Sequence, residues 1–212
     1  MNKSYDIISP KNRKLSISVT NGHFATSHSH INYYIDITKM KHDHLMAEAA
    51  AQEFAKHYTH NISIDAIVCM DGSEVIGSFL AHELARPDML SINTGKGIHV
   101  IAPEYNSNGQ MMFRDNIQPM VERQDVLLLI ASVTTGKTIK RAIECIDYYN
   151  GRVVDICAIF SAIDVIMDRK INSLFVAKDI PGYQTYSYRD CPFCKEHQKI
   201  DALVNSFGYS KL

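Results

Sequence analysis

The feature that most restricts the fold is an apolar run at residues 126–131, which leads directly into a polar turn and then a helical pattern at residues 137–149. An uninterrupted apolar run of this length predicts a strand that is buried on both faces. Similar runs occur at residues 66–70 and 153–160, and helical patterns separate them. Buried strands that alternate with helices indicate a single α/β domain with a mainly parallel sheet flanked by helices.

The remaining elements follow from propensity and spacing, and we expect about five strands in the central sheet. Alternation or short apolar runs predict further strands at residues 15–19, 33–37, 97–102, 111–115 and 173–177. Good helix formers and helical spacing predict helices at residues 40–58 and 73–84.

Composition excludes several classes of protein. The net charge of -1 at pH 7 gives no electrostatic reason to expect nucleic acid or an anionic membrane as a partner. Residues 1–10 are too polar for a signal peptide, and the run at 126–131 is too short to span a bilayer. The five cysteines are an odd number, and several lie within apolar patterns, as in reducing compartments. We therefore expect a soluble cytoplasmic protein.

The turn after the run at 126–131 is a candidate phosphate site. Ligands of open parallel sheets bind beyond the carboxyl ends of the strands, and helix N-termini present free amides to anions. The alternative is that Thr134 and Thr135 only cap the helix. A Walker A loop is excluded, because Ala131 occupies the position of its first glycine. The candidate phosphate-binding residues are Ser132, Val133, Thr134, Thr135, Gly136, Lys137 and Thr138.

This strand, the turn Thr135–Thr138 and the following helix resemble the phosphoribosyl diphosphate (PRPP) loop of type I phosphoribosyltransferases, and the layout is most similar to orotate phosphoribosyltransferase. The resemblance implies that the turn holds the 5′-phosphate of PRPP. It also implies a homodimer that uses Mg²⁺ and transfers the phosphoribosyl group to orotate or a related nucleobase, with release of pyrophosphate.

The sequence departs from the family at the end of this strand. Ile130 and Ala131 stand where the family carries two adjacent acids that bind the ribose hydroxyls. Two apolar side chains cannot orient the ribose while charge develops at its anomeric carbon. A non-catalytic PRPP- or nucleotide-binding regulatory protein is therefore the alternative to an enzyme.

The turn after residues 66–70 resembles the pyrophosphate loop of the family, which makes Asp71, Gly72, Ser73 and Glu74 candidates for the pyrophosphate and Mg²⁺. The acids could hold Mg²⁺ or repel a diphosphate, and the alternative is an ordinary turn in which Asp and Ser act as caps.

Residues 97–115 resemble the flexible hairpin that closes over PRPP. The resemblance makes Lys96 and Arg114 the candidate catalytic residues, since the family uses basic side chains near this hairpin. A plain surface hairpin is the alternative.

The N-terminal segment lies where orotate-type enzymes build a hood over the base. Thr26 and Ser27 could hydrogen-bond a heterocycle, and Tyr33 or Tyr34 could stack on it. The alternative is a solvated turn. The segment would make residues 1–38 a hood, residues 39–178 a core and residues 179–212 a C-terminal tail of one domain.

The tail contains a Cys-x-x-Cys knuckle, Cys191 and Cys194, which could hold structural Zn²⁺. His197 is a candidate third ligand, and further ligands could come from the histidines at residues 23–30 or from a second subunit. A redox pair and unligated thiols are the alternatives.

Overall fold

The computed structural model describes residues 3–58, 62–87 and 91–212. The strands are β1 (Tyr5–Ile8), β2 (Ser16–Ala25), β3 (His30–Asp36), β4 (Ala66–Cys69), β5 (His99–Ile101), β6 (Glu104–Tyr105), β7 (Met111–Met112), β8 (Asp125–Val133), β9 (Arg152–Ser161), β10 (Val165–Ile166), β11 (Arg169–Val176), β12 (Thr185–Tyr186), β13 (Ala202–Asn205) and β14 (Gly208–Lys211). The α-helices are α1 (Thr38–His42), α2 (His44–Ala55), α3 (Glu74–Ala85), α4 (Lys137–Tyr148) and α5 (Pro192–Lys195). Over the described ranges, the helices are too short or too polar for any of them to cross a lipid bilayer.

The central sheet has the strand order β10-β11-β9-β8-β4-β5. Every neighbouring pair is parallel except β10 with β11, which form an antiparallel hairpin at one edge. This confirms the predicted α/β fold with a mainly parallel sheet. Since β4 is the first of the parallel strands and lies inside the sheet, the direction of winding reverses between β4 and β8. A crevice for ligands is expected beyond the carboxyl ends of two such strands.

The two faces of the central sheet belong to separate apolar clusters, because successive side chains of a strand point to opposite faces. In β8, Leu127, Leu129 and Ala131 pack in the cluster that contains the buried faces of α2 and α3. Val126, Leu128 and Ile130 pack in the cluster that contains the buried face of α4. Both faces are therefore covered, which explains why β8 shows no polar alternation.

A second sheet joins the two ends of the described chain. Its strand order is β12-β3-β2-β13-β14, and β1 pairs with the first half of β2. The strand β13 runs parallel to β2, with Ala202 opposite Phe24. The C-terminal tail, which the sequence left without a place in the fold, therefore completes the sheet that the hood segment begins.

The predicted helix at residues 40–58 is wrong in one respect, because the structure divides this segment into α1 and α2. Asp43 is the N-cap of α2, and its carboxylate accepts hydrogen bonds from the backbone N–H groups of Leu45 and Met46. An N-cap residue has non-helical dihedrals, so the chain bends there.

A substitution in α3 tests how tightly the helix packs on the sheet. A Cβ added at Gly77 would meet the Cys69 Sγ and would lie 3.2 Å from Cγ1 of Val100. We expect Gly77→Val to lower the free energy of unfolding by about 1–3 kcal/mol through overpacking. This exceeds the roughly 0.5 kcal/mol that Val gains over Gly in helix propensity.

Urea denaturation measures this free energy, and Gly97→Val is the matched control. A Cβ at Gly97 meets no atom within 4 Å, so we expect a change within about 0.5 kcal/mol. Equal losses in the two variants would contradict the close contact of α3 with β4 and β5.

Candidate functional site

A cavity of about 940 Å³ lies beyond the carboxyl ends of β4 and β8, where the sheet topology predicts a ligand site. Its volume is in the range of about 300–1,000 Å³ that small-molecule sites have. The walls come from the turn between β8 and α4, the turn after β4, the β6–β7 hairpin, the turn between β2 and β3, and the turn between β13 and β14. Both sheets therefore contribute to the cavity.

The candidate phosphate loop forms one wall, since Ser132, Val133, Thr134, Thr135, Gly136, Lys137 and Thr138 all line the cavity. Gly136 is the N-cap of α4 with a φ of 77°, a left-handed conformation that favours glycine. No side chain caps this helix, and the three threonine hydroxyls make no hydrogen bond to the described protein. The helix amides and the hydroxyls are therefore available to an anion in the cavity.

Basic side chains from α4 reinforce this wall. Arg141 lies one helical turn after Lys137, and both residues line the cavity. Arg141 was missed from the sequence, although its i, i+4 spacing from Lys137 places it on the same helix face. The amino end of α4 is therefore positive through both its dipole and its side chains.

The turn after β4 contributes less than the sequence predicted. Asp71 lines the cavity, whereas Glu74 is exposed outside it and the buried Ser73 hydroxyl donates to the Leu129 carbonyl at 3.3 Å. Asp71 and Gly72 have φ values of 61° and 77°, so the backbone turns sharply before α3. Burial raises the pKa of the Asp71 carboxyl, although the Ser206 side chain and the Lys41 ammonium act in the opposite direction.

Lys41 is the most unusual charged residue near the cavity, because only 1% of its surface is exposed. Its Nζ donates to the Asp71 carbonyl at 2.9 Å and to the Ser206 carbonyl at 2.7 Å. It also lies 5.2 Å from the centroid of the Phe207 ring, a cation–π distance. Burial lowers its pKa. The sequence does not distinguish Lys41 from Lys39, which lies two residues earlier on the same helix and is exposed.

The structure places neither Lys96 nor Arg114 at the cavity. The Lys96 Nζ lies 3.0 Å from Asp65 Oδ1, and the Asp65 backbone bonds to Asp125 at the amino end of β8. Lys96 therefore lies near the amino ends of the strands, whereas the candidate phosphate loop lies beyond their carboxyl ends. The Arg114 Nε lies 2.8 Å from Glu104 Oε2 in an exposed ion pair across the β6–β7 hairpin. Both residues are near the hairpin in sequence, but neither lines the cavity.

The predicted hood residues divide between two faces of the second sheet. Thr26, Ser27 and Tyr34 line the cavity, together with His28, whereas Tyr33 does not. Tyr33 points to the other face of β3, where its side chain interacts with Tyr5. The Thr26 hydroxyl stabilises its own turn, because it donates to the Ser29 carbonyl at 2.9 Å. Burial raises the pKa of Tyr34 to about 12, so its phenol is protonated at neutral pH.

The predicted metal knuckle lies beside two of the histidines at residues 23–30, which the sequence offers as further ligands. His23, His30, Cys191 and Cys194 place one ligand atom each within 4.8 Å of one another, so this cluster could bind a metal. His197 is exposed after α5 with a φ of 56°, and it is not among them. The prediction of His197 as a ligand is therefore wrong, because its side chain is exposed to solvent and does not reach the cluster.

The positions of the missing acids are fully buried. Ile130 is 1% exposed and Ala131 is 0% exposed, and they pack on opposite faces of the sheet. Among the residues that the structure describes, the only carboxylates lining the cavity belong to Asp71 and Glu144. Ile130 adds an apolar side chain to the cavity wall, whereas Ala131 does not line the cavity.

Removal of the buried ammonium tests its structural role. We expect Lys41→Met to lower the free energy of unfolding by about 1–3 kcal/mol, because the Asp71 and Ser206 carbonyls lose a buried donor. The stability of this variant is measured by urea denaturation and compared with that of Lys39→Met, which changes an exposed residue of the same helix. We expect the control to change by less than about 0.5 kcal/mol. Equal stability of the parent and Lys41→Met would show that the two hydrogen bonds of Lys41 do not stabilise the fold.

Comparison with known proteins gives similarity in both sequence and fold. No family model matches the chain. It is 26% identical over 185 residues to an orotate phosphoribosyltransferase of Thermoanaerobacter sp. (strain X514), and the match covers 84% of this chain and 86% of that protein.

Solved structures share the architecture at lower identity. The orotate phosphoribosyltransferase of Mycobacterium tuberculosis H37Rv, in complex with Fe(III) dicitrate, superposes with a TM-score of 0.54 at 15% identity, covering 78% of this chain and 93% of that one. The adenine phosphoribosyltransferase of Trypanosoma brucei, in complex with AMP, pyrophosphate and ribose-5-phosphate, gives 0.51 at 13% identity, covering 89% and 80%. The sheet order, the cavity at its switch point and these similarities establish that the chain has the type I phosphoribosyltransferase fold, with sequence similarity to orotate phosphoribosyltransferases.

Proposed function

We propose that this protein binds PRPP with Mg²⁺ and transfers the phosphoribosyl group to orotate or a related base, with release of pyrophosphate. The observation that supports this most is the wall formed by residues 132–138, all of which face one cavity at the switch point of the sheet. Sequence similarity to orotate phosphoribosyltransferases over most of the chain is the second support.

The 5′-phosphate would bind at the start of α4. The free amides around Gly136 and the hydroxyls of Thr134, Thr135 and Thr138 supply hydrogen-bond donors there, and Lys137 supplies charge. The Trypanosoma brucei adenine enzyme crystallised with ribose-5-phosphate, which makes this compound a suitable probe of the same loop.

The pyrophosphate and Mg²⁺ would lie near the turn after β4. Mg²⁺ in such sites is held by one or two carboxylates together with substrate phosphates, and the Asp71 carboxylate fits this requirement. The charge of a bound cation would favour the ionised form of Asp71, against the burial that raises its pKa. Gly72 allows the sharp turn, while Ser73 and Glu74 have no direct part in this arrangement.

The base would occupy the part of the cavity beneath the hood. Ser27 and the Tyr34 phenol line that part, and each can hydrogen-bond a heterocycle. Tyr183 from the C-terminal tail lines it as well, and its ring packs edge-on against Phe160. Such a pocket of aromatic walls with a few polar groups suits a planar base.

Transfer of the phosphoribosyl group needs positioning and charge stabilisation and requires no protein nucleophile. The burial of Ile130 and Ala131 favours a second candidate, a non-catalytic PRPP- or nucleotide-binding protein. Replacing both by Asp is a poor test, because a carboxylate at Ala131 would be buried without a partner in an apolar cluster, although Ile130 lines the cavity. Turnover by the parent protein distinguishes the candidates directly.

The decisive measurement is pyrophosphate release by the purified protein with PRPP, Mg²⁺ and orotate, repeated with a panel of other bases. We expect release that depends on both the base and Mg²⁺. Saturable PRPP binding without release for any base would favour the non-catalytic candidate. The absence of both binding and release would contradict the proposal in either form.

The phosphate loop is tested by calorimetric titration with ribose-5-phosphate, which is independent of turnover. We expect Thr135→Val and Thr138→Val each to weaken binding by roughly 10- to 150-fold, since a hydrogen bond to a charged group contributes roughly 1.5–3 kcal/mol. Thr38→Val is the matched control, because Thr38 is exposed on α1 and does not line the cavity. If Thr135→Val and Thr138→Val bind ribose-5-phosphate as the parent does, the phosphate does not lie at the start of α4.

A further inference from the structure

The His/Cys cluster lies outside the cavity and has no part in the proposed transfer. The His23 Nε2 is 3.5 Å from Cys191 Sγ and 3.6 Å from Cys194 Sγ. The His30 Nδ1 is 3.3 Å from Cys194 Sγ and 3.0 Å from the His23 Nε2. Four good metal ligands therefore converge from three separate segments of the chain.

These spacings match the tetrahedral coordination of a zinc ion. Zinc bonds of about 2.3 Å to sulfur and about 2.0–2.1 Å to nitrogen place neighbouring S and N ligands about 3.6 Å apart, and two N ligands about 3.3 Å apart. The measured S–N distances are 3.3–3.6 Å, and the N–N distance is 3.0 Å. Two sulfurs and two imidazole nitrogens in this geometry are typical of structural zinc sites.

The surroundings of His23 orient it as a ligand. Its Nδ1 lies 3.1 Å from the Gln198 carbonyl and 3.3 Å from the Lys199 carbonyl. Because carbonyl oxygens only accept hydrogen bonds, Nδ1 carries the proton and the Nε2 lone pair faces the cluster. The Phe193 ring stacks on the imidazole at 5.2 Å between centroids. A backbone carbonyl that fixes the ligand tautomer is the usual outer shell of a metal-binding histidine.

A redox pair accounts for less of this arrangement. Cys191 is fully buried as the N-cap of α5, and both thiols are free in the structure. A dithiol that exchanges with a disulfide needs an accessible, activated thiolate, and it has no need of two imidazole nitrogens directed at the same point. The four-ligand set also leaves no open position, as in structural sites and unlike catalytic ones.

We propose that His23, His30, Cys191 and Cys194 bind one structural Zn²⁺ ion, which fastens the C-terminal tail to the β2–β3 hairpin. The turn between the two histidines contains Thr26 and Ser27, which line the cavity. The tail continues from the cysteines into β13, which pairs with β2. The ion would thus hold two walls of the cavity together, whether or not the protein is catalytic.

The test is the zinc content of the protein purified under reducing conditions without chelator, measured by mass spectrometry of the metal. We expect about one zinc per chain, since the cluster supplies one complete ligand set. Replacement of zinc by Co²⁺ is expected to give the thiolate-to-cobalt charge-transfer band and the intense visible bands of a tetrahedral site. Chelation of the zinc is expected to lower the melting temperature.

Variants identify the ligands. We expect Cys194→Ser and His30→Ala to lose most of the bound zinc and the cobalt bands, whereas the matched control His197→Asn retains both. His197 lies on the same knuckle outside the cluster, and Asn tolerates its left-handed backbone. A zinc-free parent that also gives no cobalt bands after reduction would overturn the proposal. So would equal zinc loss in His197→Asn. The parent measurements stand even if a ligand variant fails to fold.

Discussion

The buried ammonium of Lys41 is the interaction on which the shape of the cavity depends. A buried charge persists only where it is hydrogen-bonded, and its two carbonyl partners belong to the turn after β4 and to the turn between β13 and β14. One side chain therefore links the central sheet to the sheet built from the two ends of the chain. The link holds Asp71 close to the turn between β13 and β14, which forms part of the cavity wall.

The central sheet also explains where polar chemistry can and cannot occur. Its strands are covered on both faces, so apolar side chains fill most of β8, including Ile130 and Ala131. Polar side chains within the sheet, such as Asp155 and Asn172, hydrogen-bond to each other, whereas amides and hydroxyls in the turns beyond the strands remain accessible. The cavity wall is therefore apolar at Ile130, while the carboxylates of Asp71 and Glu144 line it elsewhere.

The parts of the fold that were predicted from sequence are those with local signals. The apolar runs identified β4, β8 and β9, and the threonine-rich turn before α4 was placed correctly at the cavity. The pairing of β13 with β2 joins residues far apart in sequence, and no local pattern indicates it. Convergence of His23 with Cys191 depends on that pairing, so the sequence offers the histidines at residues 23–30 only as alternatives to His197, which is nearer to the cysteines along the chain. Lys96 and Arg114 lie near the hairpin along the chain but not at the cavity, because neighbours in sequence need not be neighbours in space.

The parallel pairing of β13 with β2 has a consequence for the order in which the molecule can assemble. During synthesis, the central sheet has all of its strands once β11 has left the ribosome, whereas the second sheet then still lacks three strands, β12, β13 and β14. Pairings between segments far apart in the chain form slowly, and β13 cannot pair with β2 before it has been synthesised. The hood strands must therefore wait, with one edge of β2 uncovered, for the last part of the described chain. Until then a nascent chain can possess the phosphate loop without possessing a closed cavity.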